Sequence, residues 1–274
     1  MRTRPVGGHI FGRIGGAGSP EPVQESEYMG HKQRWYRVPA LAALVIGVCV
    51  LPPSIAHASR YSETRYSQTR YSEWHGYVLD HVKTRDKVVF ITVDDGSHLS
   101  RETNQYIRNM RIPITTFALP EPLNHHRRRF INLLRQTGMT FENHTQTHRT
   151  LSTMSYKAQR SEICAGNREV KRVIHRTPEF LRPPGGGWDS DTVRAAKKCG
   201  IDRIVLWNVV ADYGQIVRSD PGPLLQPGDI VLLHYLDSLP KSLDLVLREA
   251  KKAGLRPALL RDYLSPTSQM TNQS

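Results

Sequence analysis

The sequence predicts an α/β protein in which βα units wrap a largely parallel sheet or barrel, and three observations lead there. Residues 88–93, Val-Val-Phe-Ile-Thr-Val, form a β-branched apolar run of the kind that is buried on both faces. Strand-like and helix-like segments alternate from Lys87 onward. Polar clusters fall just past the strand-like segments, where βα folds collect their chemistry.

Each element has its own signal. Residues 100–110 look helical, and residues 114–118 read as a strand. Residues 127–136 form an amphipathic helix closed by Gly138, and residues 140–142 a short strand. Residues 155–175 carry Ile163, Val170, Val173 and Ile174 at helical spacing. Residues 180–182 are a strand stub, and Asp189 caps a helix that ends at Cys199-Gly200. Residues 203–207 and 230–233 are further strands, and residues 238–253 a last helix stopped by Gly254.

Composition narrows the field. The 274 residues include 23% charged and 38% hydrophobic positions, which excludes wholesale disorder, collagen and coiled-coil architectures. The one long apolar stretch, residues 38–51, includes Pro39 and is shorter than the roughly 20 residues that cross a bilayer, so a polytopic membrane protein is excluded. Three cysteines are too few for a disulfide scaffold or a cysteine-based zinc module. The net charge of +13 fits nucleic acid or an acidic cell-wall polymer, but no helix-turn-helix, finger or aromatic RNA-binding sheet is legible. Charge alone does not decide between the two, and the missing motifs argue against nucleic acid.

The N-terminal region reads as a leader. A basic stretch at residues 31–37, the apolar run and Ala56-His57-Ala58 are the three parts of a secretory signal peptide, with cleavage expected after Ala58. The alternative is an uncleaved anchor over residues 38–51. A start at Met29 would leave a conventional short n-region, so residues 1–58 are assigned to extension plus leader. Residues beyond 58 keep 32 of the 38 basic and 22 of the 25 acidic side chains, so the basic balance survives cleavage. The protein is expected outside the cell or on its wall, off the membrane after processing, and monomeric. Residues 60–74 repeat Arg-Tyr-Ser every five positions, a period that suits neither helix nor strand, so residues 59–85 are assigned to a linker. Residues 86–264 make a single domain and residues 265–274 a tail.

Five polar clusters follow predicted strands: Asp94-Asp95-Gly96, His144 with His148, Arg182-Pro183-Pro184-Gly185-Gly186, Asp212, and His234. Singly each has an ordinary explanation. Asp-Asp-Gly is a common turn, and an isolated histidine is commonly packed. His144 and His148 stand at i and i+4, which suits a metal on a helix, although β-branched Thr145 and Thr147 fit a loop equally. Together, one Asp and two His form the ligand inventory of a catalytic divalent metal. Beside them stand a spare carboxylate, an arginine and a further histidine, the groups that metal-assisted hydrolysis needs.

These residues resemble a known family. Ile91-Thr92-Val93-Asp94-Asp95-Gly96, Asn143-His144-Thr145-Gln146-Thr147-His148, Arg182-Pro183-Pro184-Gly185-Gly186 and Ile230-Val231-Leu232-Leu233-His234 look like the ordered motifs of the polysaccharide deacetylases, carbohydrate esterase family four. The similarity spans residues 86–262. It implies a distorted (β/α) barrel with fewer than eight repeats. It implies a divalent ion, Zn2+ first and Co2+ or another as alternatives, held by Asp95, His144 and His148. Asp94 would be the general base with Arg182 paired to it and keeping it ionised, and His234 the general acid tuned by Asp212. A backbone N–H near Gly185 would receive the oxyanion, and Leu232 would wall the acetyl methyl. The implied reaction is N-deacetylation of a GlcNAc-containing polysaccharide: chitin oligomers, peptidoglycan or exopolysaccharide. An O-acetyl esterase on xylan or a silent wall-glycan-binding protein are the alternatives.

The chain departs from the family in its sugar cleft. Ser97 replaces the usual proline, Gly185 stands where an aromatic is common, and the fourth motif is reduced to Val210-Ala211-Asp212-Tyr213. Trp188 and Tyr213 are candidate cleft residues; Trp188 or Trp207 could supply the missing aromatic wall, with core packing the expected fate of Trp207. Cys164 and Cys199, left after cleavage, are expected to pair in an oxidising compartment.

Overall fold

A computed structural model describes Trp74 and residues 76–265. The leader, the alternative start, the Arg-Tyr-Ser repeat up to Glu73 and the tail after Ser265 lie outside the described residues. The described chain forms β1 (Val78–Leu79), β2 (Val88–Asp95), α1 (Arg101–Met110), β3 (Ile114–Ala118), α2 (Pro120–His125), α3 (Arg127–Thr137), β4 (Thr140–Asn143), α4 (Tyr156–Ile174) and β5 (Phe180–Leu181). It continues as α5 (Ser190–Lys198), β6 (Arg203–Val205), β7 (Val209–Val210), β8 (Val217–Arg218), β9 (Ile230–His234), α6 (Leu239–Lys252), β10 (Arg256–Pro257) and α7 (Arg261–Leu264).

The sheet runs β1-β6-β5-β4-β3-β2-β9-β7-β8, with β10 also on β2. Every pairing is parallel except β7 with β8. Just past β1, His81 bridges to Asp229, and Val82 N–H donates to Gly228 O at 2.8 Å, which ties the β1 flank to the approach of β9. The result is the distorted (β/α) barrel the motifs imply. One boundary needs correction. The linker does not reach residue 85, because Val78 and Leu79 pair in register with Ile204 and Val205 of β6. Two residues cannot announce a strand by pattern; their place is set by the neighbouring strand.

Alternation within the strands decides what each face does. From β2, Val89, Ile91 and Val93 point outward and join Ile107, Phe130, Leu133, Val170 and Val246 of the surrounding helices in the largest apolar cluster. Val88 and Phe90 point inward and meet Phe117, Phe180, Val205 and Ile230, with Leu260 and Leu264 around α7 packed beneath them. Continuing up the inner face, apolar residues give way to Thr92 and then Asp94. β9 follows the same rule with Ile230, Leu232 and His234. The barrel is thus filled at its amino end and polar at its carboxyl end.

Helix ends follow their sequence signals. Ser100 caps α1 by accepting from Thr103 N, and Asp189 and Thr192 form a reciprocal capping box on α5. Gly138 closes α3 at φ 72°, a left-handed conformation that glycine adopts without steric cost. No helix among the described residues is long and apolar enough to cross a membrane.

At the filled end, the fully buried Glu142 accepts from Arg261 Nη2 at 2.7 Å and from the backbone N–H groups of Glu179 and Phe180 at 2.8 and 3.0 Å. Burial pushes this carboxyl up to about 7, with Arg261 opposing. Arg261→Met removes the cation and leaves a buried carboxylate, which is expected to cost about 3–5 kcal/mol in urea unfolding at pH 8. The folded pKa lies above the unfolded one and rises further without Arg261. The loss should therefore shrink at pH 5, where the carboxyl is protonated. An equal loss at both pH values would contradict this account of the pair.

Candidate active site

The sheet register assembles the polar residues. Asp94 and His234 are Cα partners on adjacent strands β2 and β9, and Asn143 at the end of β4 pairs with Leu181 at the end of β5. His144 and Arg182 therefore leave their strands side by side. His144 Nδ1 lies 2.8 Å from Arg182 O. A carbonyl can only accept, so this ring nitrogen donates and the lone pair sits on Nε2.

That Nε2 lies 3.5 Å from Asp95 Oδ1, and His148 Nε2 lies 3.4 Å from the same oxygen. The ligand atoms of Asp95, His144 and His148 all fall within 4.8 Å of one another. Asp95 Oδ1 is buried and has no hydrogen-bond partner among the described residues. An orphaned carboxylate oxygen facing two imidazole nitrogens is costly unless a cation fills the space between them. Burial pulls the His144 pKa down to about 3 despite Asp95 nearby, which leaves the neutral imidazole that a metal requires. The residues present fit a divalent ion of the borderline class. The two histidines sit on a loop, not a helix, since Thr145 and His148 have φ of 70° and 61°. Asp95 itself, at φ 75°, turns its side chain out of the strand's alternation.

One oxygen of Asp94 is committed to Arg182, while the other stands 3.7 Å from His144 Nε2. Arg182 Nη1 donates to Asp94 Oδ1 at 2.8 Å and to Thr92 Oγ1 at 2.8 Å; Nε donates to Val205 O and Nη2 to Leu206 O. The guanidinium is fully buried, 4.1 Å from the centroid of the Phe117 ring. Its orientation is over-determined, and so is that of Asp94. Burial raises the Asp94 pKa, and Arg182 only partly opposes this. Arg182 thus acts on Asp94 in the direction expected of it, by charge and hydrogen bond, and it aims the carboxyl, while burial works the other way. Thr92 went unnoticed in the sequence because its hydroxyl is hidden inside a strand motif.

His234 Nδ1 lies 2.7 Å from Asp212 Oδ2, and the other oxygen of Asp212 accepts the His234 backbone N–H at 3.0 Å. Burial disfavours the imidazolium, but the Asp212 hydrogen bond and the Asp94, Asp212 and Asp95 charges outweigh it and raise the pKa. Asp212 therefore makes the contact expected of it despite the shortened motif.

The cleft residues divide. Leu232 is buried on the inner face next to Thr92. Gly185 has φ 62° and nothing within 4 Å of where a Cβ would stand, so this wall is open. Tyr213 is 71% exposed. Trp188 departs from expectation: it packs against the cluster of Leu181, Val193 and Ile204, because the helix capped by Asp189 begins directly after it. Trp207 packs on the interior cluster, as expected, with its ring against Gly186 and 5.6 Å from the Arg182 guanidinium.

At its carboxyl end the parallel barrel thus gathers an Asp-His-His cluster that could hold a cation, a buried carboxylate–arginine pair and a carboxylate–histidine pair. Residues 81–204 match the family described as polysaccharide deacetylase. An uncharacterized Streptomyces coelicolor protein, SCO4760, is 34% identical over 192 residues, which is 68% of this chain and 77% of that protein. A peptidoglycan-N-acetylglucosamine deacetylase of Bacillus cereus is 25% identical over 69% of this chain and 93% of its own length. Among solved structures, the Bc1960 peptidoglycan N-acetylglucosamine deacetylase superposes with a TM-score of 0.62 at 23% identity, over 71% of this chain and 96% of that one. A pseudoenzyme of the same esterase family from Bacillus anthracis, BA3943, gives 0.58 at 20% identity over 69% of each chain. The chain belongs to the polysaccharide deacetylases of carbohydrate esterase family four.

Proposed function

We propose that this protein is an exported, divalent-metal-dependent deacetylase that hydrolyses N-acetyl groups of a GlcNAc-containing polysaccharide. The observation that carries the reading is the orphaned Asp95 Oδ1 facing the Nε2 atoms of His144 and His148, with a base and an acid pair built beside it. Since the family's fold also includes a pseudoenzyme, the side-chain set and not the fold supports activity.

Asp95, His144 and His148 would hold the ion, with zinc the first expectation, and it would supply Lewis-acid polarisation of the attacking water and the acetyl carbonyl. Asp94 accepts the proton from that water, and its raised pKa makes it a better acceptor than an ordinary carboxylate. Arg182 fixes its direction. His234 delivers a proton to the departing nitrogen, because an amide anion is too poor a leaving group. Asp212 holds the Nδ1 side and keeps the ring charged. A backbone N–H near Gly185 receives charge on the carbonyl oxygen, and Leu232 packs the acetyl methyl. The open wall at Gly185 and the exposed Tyr213 suit a chain that extends beyond one sugar. The products are acetate and a glucosamine-type amine.

Export is supported by the leader-like residues 31–58 and by the Cys164–Cys199 disulfide, a bond that persists in oxidising compartments. The basic balance suits an acidic wall. The test of substrate class is acetate release from chitooligosaccharides, peptidoglycan and acetylated xylan. Release from the N-acetylated glycans is expected. Release from xylan alone would reassign the protein as an O-acetyl esterase, and release from none would favour the silent binding protein.

A further inference from the structure

We propose that Asn167 and the Cys164–Cys199 disulfide are positioning elements of the cation site, which set its affinity by holding the loop that carries His144 and His148. The inference rests on the reading of that site given above.

The loop needs holding, because Thr145 and His148 both adopt positive φ, a conformation unfavourable for a β-branched threonine. Two side-chain clamps supply the restraint, both based on α4. Glu162 accepts from Gln146 N at 3.1 Å, Thr147 N at 2.8 Å and Thr147 Oγ1 at 2.8 Å. The second clamp is Asn143, immediately before His144. Its Oδ1 accepts Thr145 N at 2.7 Å, and its Nδ2 donates to Ile163 O at 2.8 Å and Asn167 Oδ1 at 2.6 Å. Gly166 permits this contact, since a Cβ there would meet Asn143 Oδ1 at 2.5 Å and Thr145 C and O at 2.9 Å.

Asn167 extends the chain outward. With its Oδ1 committed to Asn143, its Nδ2 donates to Cys199 O at 2.9 Å. Cys199 follows α5 and is bonded to Cys164, one helical turn before Asn167, with Cα atoms 5.0 Å apart. The disulfide therefore fixes the carbonyl that orients Asn167, Asn167 orients Asn143, and Asn143 sets the turn between the two histidines. Neither Asn167 nor the disulfide touches a ligand atom of the cation cradle, so their influence passes through loop geometry.

The test is titration of the metal-free folded protein with Co2+, following the visible d–d band and the dissociation constant. Asn167→Ala is expected to weaken binding about tenfold and to change the band, as outer-sphere substitutions do. Cys164→Ser with Cys199→Ser should shift both in the same direction, by severalfold. Asn167→Asp keeps the acceptor for Asn143 but loses the donation to Cys199 and sets a carboxylate oxygen against that carbonyl. It should behave like the disulfide variant, and it serves if the alanine variant does not fold. Wild-type affinity and spectrum in folded variants would overturn the inference alone. Failure of the wild type to bind Co2+, or undiminished binding by Asp95→Ala, would overturn the cation site and the inference with it.

Discussion

Asp94→Asn is expected to lower acetate release from an N-acetylated glycan about 10²–10⁴-fold while leaving cation binding in place. The amide keeps the shape of the carboxylate and an oxygen for Arg182 Nη1, now 2.8 Å away, but it cannot accept a proton from water. Asp94 Oδ2 stands 3.7 Å from His144 Nε2, but Asp95 supplies the carboxylate oxygen that faces both imidazoles. The variant should also lose stability, because the fully buried Arg182 is left without its counter-charge. Turnover and Co2+ titration on the same preparation separate these effects. Normal turnover would remove Asp94 from the base role, whereas loss of cation binding would place it in the cradle.

His234→Ala is expected to cost about 10²–10⁴-fold on an acetamide and clearly less on an acetate ester of comparable size. An amide nitrogen must be protonated as it leaves, whereas an alkoxide departs with less help. The pH profile gives an independent reading. The raised pKa of His234 keeps its acid form populated above the ordinary imidazole range, and activity should fall as pH climbs through that value. In Asp212→Asn the hydrogen bond and charge that raise it are lost, so the alkaline limb should move to lower pH. Equal losses on amide and ester, with an unmoved limb in Asp212→Asn, would assign His234 a binding role.

The parts of this molecule that the sequence made legible are those governed by local rules. β2 announces itself by a β-branched run, α1 and α5 by Ser100 and Asp189, and the site by polar residues placed just past strands. β1, β7, β8 and β10 are two residues each, and no periodicity exists over such a length; neighbouring strands define them. α2 is short and carries Pro120 and Pro122, so no helical periodicity marks it, although proline is well tolerated in a first helical turn. The His144–His148 loop was open between helix and loop until Thr145 and His148 showed positive φ. Trp207 packs on the interior cluster, the fate expected of it, and its ring also lies against Gly186, while Trp188 packs beside the cap at Asp189. The links from Asn143 through Asn167 to Cys199 join residues 24 and 32 positions apart, and nothing in their local sequence announces them.

The most direct test of the account is acetate release from N-acetylglucosamine oligomers by the processed protein before chelation, after chelation, and after Zn2+ or Co2+ is restored. The account predicts loss of turnover with chelator and recovery with metal. Turnover that persists unchanged once the protein is shown to be metal-free would contradict it.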